Sequence, residues 1–262
     1  MNIIVCIKQV PDTTSIEIDE KTGSLKREGV ESKVNVYDLH ALEAALKIKE
    51  QVGGKITVLT MGPLQAAQSI REALMLGADD GYLISDRCFA GSDVLATSYT
   101  LAQAVRTLGK FDLIICGKQT TDGDTAQVGP ALAEQLGIPH ATWVNEILEV
   151  DSNGLLFEQD LMESVLRVRA EYPLLITVEK RRSEPRLPSF LLKQKLACRG
   201  VKTLSLANFS DRDIDRYGVD GSATHVEKIF PPEENTEHVM LKGNPELLVE
   251  DILQILKKGK FI

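Results

Sequence analysis

The sequence predicts an α/β protein with a doubly wound, mainly parallel sheet, and three observations carry that prediction. In the first half, short continuous apolar runs alternate with segments that repeat apolar residues at helical spacing. Continuous apolar runs are typical of parallel strands covered on both faces by helices. Most of the helical segments end in glycine, as helix C-termini commonly do. After residue 140 the pattern changes to hairpin-forming segments, which predicts antiparallel strands at one edge of the sheet.

The predicted elements of the first half alternate between strand and helix. The strands are residues 3–8, 55–60, 81–85 and 112–116. The helices are residues 38–51, 64–77, 92–109 and 126–137. Between the first strand and the first helix, residues 11–37 alternate short segments around a turn at residues 21–23, which predicts a small β-ribbon within the crossover.

The second half is predicted to complete the sheet and to leave it. Asn153 and Gly154 form a hairpin turn signal, and two further strand-like runs follow within residues 164–180. We therefore expect a core domain over residues 1–205 and an extended C-terminal arm over residues 206–262. The arm ends in a helix with Asn244 as cap, proline at its first position, early acids and late lysines. Such an arm is expected to dock on its own domain or on a partner.

The bulk composition limits the classes of function. The chain has 262 residues, 43% of them hydrophobic, which is enough for one sizeable core. A formal net charge of −8 disfavours a general role in binding nucleic acid or a membrane surface. The four cysteines form no CxxC pair, and the first residues resemble neither a basic leader nor a transmembrane span. These features predict a cytoplasmic protein without membrane insertion.

The strongest candidate site is the loop of residues 117–128, which follows the fourth strand and opens a helix. Ligands in open α/β sheets bind beyond the carboxyl ends of the strands. The loop is neither a Walker motif nor a GxGxxG fingerprint, but the N–H groups of residues 125–128 at a helix start favour a phosphate. We expect Asp124 to cap that helix, Asp122 to hold the turn and Gly123 to let the chain pass close to a ligand. An ordinary capped turn would use the same residues, and spacing alone leaves both interpretations open.

Two further turns are expected to border the same crevice. Asn35 or Asp38 is expected to cap the first helix, and Met61 with Gly62 ends the second strand. The four histidines lie on different elements, and no motif joins a nucleophile to a base, so neither a metal site nor a catalytic set is predicted. Any chemistry would then come from a bound cofactor.

Residues 180–202 form a basic segment on an otherwise acidic chain, with eight Lys or Arg against the single Glu184. An amphipathic helix that packs its leucines inward would explain this composition. Two prolines before Phe190, Leu191 and Leu192 favour instead an exposed apolar tip ringed by cations. Such a tip is suited to docking an acidic partner.

Several motifs together resemble the β (small) subunit of electron transfer flavoprotein, in the same order and across nearly the whole chain. They are VCIKQVPDT, NVYDLHALEAAL, VLTMGP, GKQTTDGDTAQVGP, EPRLPS and the C-terminal arm. The resemblance implies a Rossmann-like domain that binds an adenine nucleotide and an arm that embraces the α subunit.

The resemblance also implies which residues bind. The expected cofactor-binding residues are Cys6, Asn35, Val36, Tyr37, Asp38, Val58, Met61, Gly117, Lys118, Gln119, Thr120, Thr121, Asp122, Gly123, Asp124, Thr125, Ala126, Gln127 and Val128. Residues 184–200 are expected to be the recognition loop for a partner dehydrogenase. Its expected contact residues are Glu184, Pro185, Arg186, Leu187, Phe190, Leu191 and Leu192. Phe190 stands where many members have leucine or methionine, which keeps the apolar character and leaves the partner's identity open.

The expected cofactor is FAD, with AMP as the alternative. Ordinary members of the family carry AMP in this site, and members that bifurcate electrons carry a second FAD. Residues 85–105 resemble the bifurcating branch, in which NADH reduces the β-bound flavin and the electron pair is divided between two routes. The expected partners are the α subunit, an acyl-CoA or other flavin dehydrogenase, and ferredoxin as a candidate acceptor. Two other classes stay open: an AMP- or ATP-binding sensor domain, and a nucleotide hydrolase using Lys118, Asp122 and Asp124.

Overall fold

The computed structural model describes residues 1–12, 32–161, 163–180, 184–196, 200–227 and 240–262. The turn expected at residues 21–23 lies outside these ranges. Within them, no helix combines the length and the apolar character needed to cross a membrane.

A nine-stranded sheet forms the centre of the protein, with a separate two-stranded ribbon beside it. The strands are β1 Asn2–Cys6, β2 Gln9–Pro11, β3 Ser32–Val34, β4 Lys55–Met61, β5 Asp80–Ile84, β6 Leu113–Gly117, β7 His140–Val150, β8 Gly154–Asp160, β9 Val165–Glu171, β10 Leu174–Val178 and β11 Lys202–Leu204. The order in the large sheet is β11-β5-β4-β1-β6-β10-β7-β8-β9. The first seven strands of that order are parallel, and β8 and β9 continue it in antiparallel pairing. The predicted fold class is thereby confirmed.

Helices cover both faces of the parallel strands. The covering helices are α1 Val36–Val52, α2 Ala67–Leu76, α3 Val94–Leu108 and α4 Val128–Leu136. Two later helices, α5 Phe190–Leu196 and α6 Pro245–Lys258, have no buried residue. The apolar residues of α1 and α2 pack in one core layer with Val5 of β1. Those of α3 and α4 pack in the other layer with Ile4, because adjacent side chains of a strand point to opposite faces.

The chain order creates a crevice between β1 and β6. From β1 the chain passes through the ribbon and α1 to β4 on one side, whereas α3 crosses the opposite face to reach β6 on the other side. The two connections diverge at this point, so the carboxyl ends of β1 and β6 border an opening. This switch point is where doubly wound sheets usually bind their ligands.

The placement of β10 differs from the sequence prediction. We expected both runs within residues 164–180 at the antiparallel edge, and β9 does form that edge. β10 instead inserts between β6 and β7 as a parallel strand, and all five of its residues are buried. Its continuous apolar sequence fits a strand covered on both faces, whereas the mostly exposed β9 fits an edge.

Residues 206–222, which we assigned to the arm, pack against the domain. Phe209 and Tyr217 are fully buried beside α3, and their rings lie 5.7 and 5.4 Å from the ring of Phe89. The packed domain therefore extends to about Ser222 in the described chain. Asn244 caps α6 as expected, since its side chain accepts a hydrogen bond from the Glu246 N–H at 2.8 Å.

Candidate functional site beyond strands β1 and β6

Asn35 fixes the 117–127 loop to the start of α1. Its side chain is fully buried; Nδ2 donates to the Gln119 carbonyl at 2.8 Å, and Oδ1 accepts from the Thr121 N–H at 3.3 Å. Asn35 occupies the N-cap position of α1, but within the described chain its side chain makes no capping bond to the helix. The expected helix-capping role is therefore replaced by a contact across the crevice.

Gly117 permits α1 to approach the end of β6 closely. A Cβ atom at this position would lie 2.3 Å from Asp38 Oδ1 and 2.7 Å from Tyr37 Cβ, distances that the backbone cannot accommodate. The glycine at the head of the loop is thus required by packing against the first turn of α1.

Asp38 is buried at the centre of this arrangement. Its carboxylate accepts a hydrogen bond from the Lys8 N–H at 2.7 Å. Burial raises its pKa from 3.8 to about 7, against the opposing effects of hydrogen bonds from Asn35, Lys8 and Gly117. Asp38 therefore joins the ends of β1 and β6 to α1.

Lys8 forms a charged contact with the loop. Its Nζ donates to both carboxylate oxygens of Asp122, at 2.8 and 2.7 Å. Burial acts to raise the pKa of Asp122, but hydrogen bonding and charge from Lys8 hold that pKa below its ordinary value. The sequence analysis missed Lys8, although its place at the carboxyl end of the first predicted strand was a usable signal.

Lys118 has different partners. Its Nζ forms a 2.7 Å ion pair with Glu179 and lies 4.4 Å from the ring centroid of Trp143. Its N–H donates to the Val178 carbonyl at 2.9 Å, which continues the pairing of β6 with β10. The Lys118 side chain is thus engaged beside β7 and β10, whereas the Asp122 carboxylate pairs with Lys8.

The expectation that Asp124 caps α4 is wrong. The N-cap of α4 is Gln127, and Asp124 Oδ1 instead accepts from Gln119 Nε2 at 2.9 Å. Positive φ angles occur at Asp124 (47°) and Ala126 (55°). A Cβ at Gly123 would meet Thr120 Oγ1 only at ordinary contact distance, 3.5 Å, so the strained positions follow the glycine.

The helix that follows begins without a side-chain cap among the described residues. Its first N–H groups are therefore the kind of donors that an anion can bind. A Cβ at Gly129 would lie 2.5 Å from Thr177 Cγ2, so this glycine brings the first turn of α4 against β10. The helix start is accordingly fixed to the sheet.

The other expected cofactor-binding residues differ in how far they are exposed. Cys6 and Met61 are half-buried at the carboxyl ends of β1 and β4, and the first turn of α1 leaves Val36 and Tyr37 half-buried. Thr120 is half-buried in the loop, Thr121, Thr125 and Gln127 are exposed, and Val128 begins α4. Val58 is fully buried in the α1–α2 core layer and is not presented to the crevice.

Part of the basic segment presents apolar side chains at the surface. Leu187, Phe190 and Leu191 are exposed, Phe190 at 69%, and α5 has no buried residue among its seven. Leu192 is half-buried, and Glu184 and Pro185 precede the helix as coil. Leu196 is also half-buried and packs against the α1–α2 core layer. The short helix therefore packs one face inward, as the alternative expected, and leaves Phe190 and Leu191 exposed on the other.

Arg186 within that segment points back to α1. Its guanidinium donates to both carboxylate oxygens of Glu43, at 2.8 and 3.0 Å, and to Glu50 at 2.7 Å. Burial acts to raise the pKa of Glu43, but hydrogen bonds from Arg186 hold it below its ordinary value. Arg186 therefore anchors the base of the exposed segment.

Comparison with known proteins gives one consistent family. A family model described as "Electron transfer flavoprotein domain" matches residues 22–208. The "Electron transfer flavoprotein subunit beta" of Megasphaera elsdenii is 42% identical over 272 residues, covering all of both chains. "Protein FixA" of Azorhizobium caulinodans is 42% identical and covers 97% of this chain and 92% of its own. The "Caffeyl-CoA reductase-Etf complex subunit CarD" of Acetobacterium woodii is 39% identical, with 93% and 92% covered.

Proposed function

This chain belongs to the electron transfer flavoprotein family as a β subunit, and we propose that it binds FAD in the crevice between β1 and β6. In this proposal it forms a heterodimer with an α subunit and serves in NADH-dependent electron bifurcation in the cytoplasm. AMP as a structural nucleotide is the alternative ligand of the same site.

The observation that carries the proposal is the start of α4. The 117–127 loop, fixed by Asn35 and Lys8, leads into a helix whose first N–H groups lack a side-chain acceptor among the described residues. Gly129 fixes that start against β10. A phosphate group, with several acceptor oxygens and negative charge, matches such donors at the positive end of a helix.

A bound flavin would supply the exchange of a hydride or of single electrons. The residues of this chain would bind and orient it. The N–H groups at the start of α4 would hold its phosphates, while Asn35 and Asp38 would keep the loop and α1 in place around it. NAD(H) is the proposed electron donor.

Two surfaces support the proposed partners. The exposed apolar tip at Phe190, with Lys193 and Lys195 in the same short helix, suits an acidic surface on a flavin dehydrogenase. The name of the relative CarD places that protein in a complex with a caffeyl-CoA reductase, which favours an enzyme acting on a CoA thioester as the partner here. Helix α6 is the proposed docking element for the α subunit, and ferredoxin is the proposed low-potential acceptor.

The test is to identify the nucleotides released when the purified heterodimer is denatured. The proposal predicts two FAD per heterodimer and no AMP. One FAD with one AMP would support the structural-nucleotide alternative, and a single FAD without any other adenine nucleotide would overturn the site.

A pair of glycine variants assigns the nucleotide to this crevice. Gly117→Ala should release the β-bound nucleotide, because its Cβ would displace Asp38. Gly200→Ala is the control, since a Cβ there meets no described atom within 4 Å and the backbone has no positive φ. Retention of the nucleotide by Gly117→Ala would place it elsewhere in the heterodimer.

A further inference from the structure

Two lysines at the 117–127 loop have opposite arrangements. Lys118 belongs to the loop by sequence, but its ammonium is held by Glu179 and the Trp143 ring. Lys8 is more than a hundred residues away in sequence, yet its ammonium is held on the loop by both oxygens of Asp122. Among the described residues, a cation held on the loop therefore comes from the segment that follows β1.

The two carboxylates of the loop would repel a bound phosphate, and a nearby cation would offset that repulsion. A phosphate at the start of α4 would share the loop with Asp122 and Asp124, and each carboxylate would repel it. An ammonium group has three N–H donors, of which Asp122 engages two. The Lys8 side chain is 44% exposed, so its ammonium can donate a further hydrogen bond to an anion.

We propose that Lys8 is the residue that recognises the 5′-phosphate of the adenosine nucleotide, with Asp122 as its positioning residue. The inference rests on the proposed function and adds a source of charge selectivity from outside the loop motif. It applies equally to AMP and to FAD, because both carry a phosphate on the adenosine 5′-oxygen.

The experiment measures AMP and adenosine binding by calorimetry, using the heterodimer after its β-bound nucleotide has been removed. The ratio of the two dissociation constants reports recognition of the phosphate, while adenosine alone reports the shape of the site. The variants are Lys8→Gln, Lys8→Arg and Asp122→Asn. Lys49→Gln is the control, because Lys49 forms a comparable ion pair with Asp79 at the amino edge of the sheet.

Lys8→Gln should weaken AMP binding about tenfold, the lower range for a charge-assisted hydrogen bond, and should change adenosine binding less than about twofold. Lys8→Arg should retain most of the AMP preference, and Lys49→Gln should retain all of it. Asp122→Asn should reduce that preference, but by less than Lys8→Gln, because the ammonium keeps its charge and loses the carboxylate that holds it at the loop.

Two results would overturn the proposal. Equal losses of AMP and adenosine binding in Lys8→Gln would show that the ion pair only shapes the loop. No loss in Lys8→Gln would show that the phosphate lies elsewhere. Failure of the unsubstituted heterodimer to bind either ligand would instead refute the nucleotide site itself, and with it this role of Lys8.

Discussion

Asp38 shows how one residue can join three elements at the candidate site. Its buried carboxylate accepts from the backbone at the end of β1 and lies within 2.3 Å of where a Cβ at Gly117 would be. The desolvated carboxyl is easier to protonate than an exposed one, which is why its pKa is raised to about 7. The protonation state of Asp38 is consequently coupled to folding.

We expect the free energy of unfolding to decrease with pH more steeply in the natural protein than in Asp38→Asn. The pKa of this carboxyl is 3.8 without its folded environment and about 7 within it, so between these values the folded chain binds the proton more tightly. The stabilisation that protonated Asp38 gives the folded chain is complete below pH 3.8 and is lost as the pH rises towards 7. The slope is at most about 1.4 kcal/mol per pH unit, and urea unfolding across this interval measures it.

Asp122→Asn provides the opposite control. In the natural protein the pKa of the Asp122 carboxyl is lowered, mainly by Lys8 acting against burial. The carboxylate therefore stabilises the folded chain above its unfolded pKa, and this stabilisation is lost as the pH falls. Parallel pH curves for the natural protein and Asp38→Asn would refute the assigned role of Asp38.

The sequence predicted which segments meet at the candidate site better than it predicted the bonds between them. A loop after a parallel strand indicates a ligand site from topology alone, and the structure does bring Asn35, Asp38 and the loop together. The sequence could not show that Asp124 would pair with Gln119 or that Lys8 would reach Asp122, because those partners depend on the path of the turn. Val58 was inferred from a resemblance, which carries no information on which face of β4 it occupies.

At the scale of elements, Arg186 joins the basic segment to α1. Arg186→Met should lower the free energy of unfolding by about 2 kcal/mol, because it leaves the buried Glu43 carboxylate without its partner. That loss is smaller than for a fully buried pair, since the Arg186 side chain is 34% exposed. Glu50→Gln should cost less than about 0.5 kcal/mol, because Glu50 is 59% exposed. Chemical unfolding of each variant measures the difference.

The double variant Glu43→Gln with Arg186→Met separates charge from packing. It should recover much of the loss, because no buried charge is then left without a partner. A double variant as unstable as Arg186→Met alone would mean that Arg186 stabilises the protein through its aliphatic stem.

The tip of the basic segment should act in binding and not in folding. Phe190→Ala should weaken association with the partner dehydrogenase by about 2 kcal/mol, or about 30-fold, as expected for a central apolar anchor. Unfolding and flavin content should not change, because Phe190 is 69% exposed. Titration of electron transfer against dehydrogenase concentration measures the effect.

Val52→Ala is the matched control for that experiment. Val52 is also an exposed apolar side chain, but it lies at the end of α1, away from α5. Equal effects of the two substitutions, or loss of flavin in Phe190→Ala, would contradict a docking role for the tip.

Strand order was the element-level feature that local pattern could not supply. Residues 164–180 were correctly predicted as two strands, but chain order alone placed both at the edge. The separating signal was present, since LLITV is apolar throughout and the β9 sequence VLRVRAE alternates. Which gap β10 would fill still depends on long-range pairing with β6 and β7.

For the whole molecule, the described C-terminal helix is the least packed element. None of the residues of α6 is buried, although seven of its fourteen are Leu, Ile or Val. Asn244 caps the helix, and five of the seven apolar side chains are exposed within the described chain. An exposed apolar helix of this kind is typical of a surface that associates with another protein.

We therefore expect Ile252→Glu to have two linked effects. Ile252 is 48% exposed at the middle of α6, so a carboxylate there can stay hydrated in the isolated chain and should raise its solubility. In the heterodimer the same carboxylate would be buried against an apolar surface, which should weaken association with the α subunit by about 3 kcal/mol, or more than a hundredfold. Co-purification and sedimentation of the two chains measure both effects. Gln254→Glu adds the same charge to the same helix at a polar position and should leave association unchanged. An Ile252→Glu chain that still assembles with natural affinity would show that this part of α6 is not in the interface.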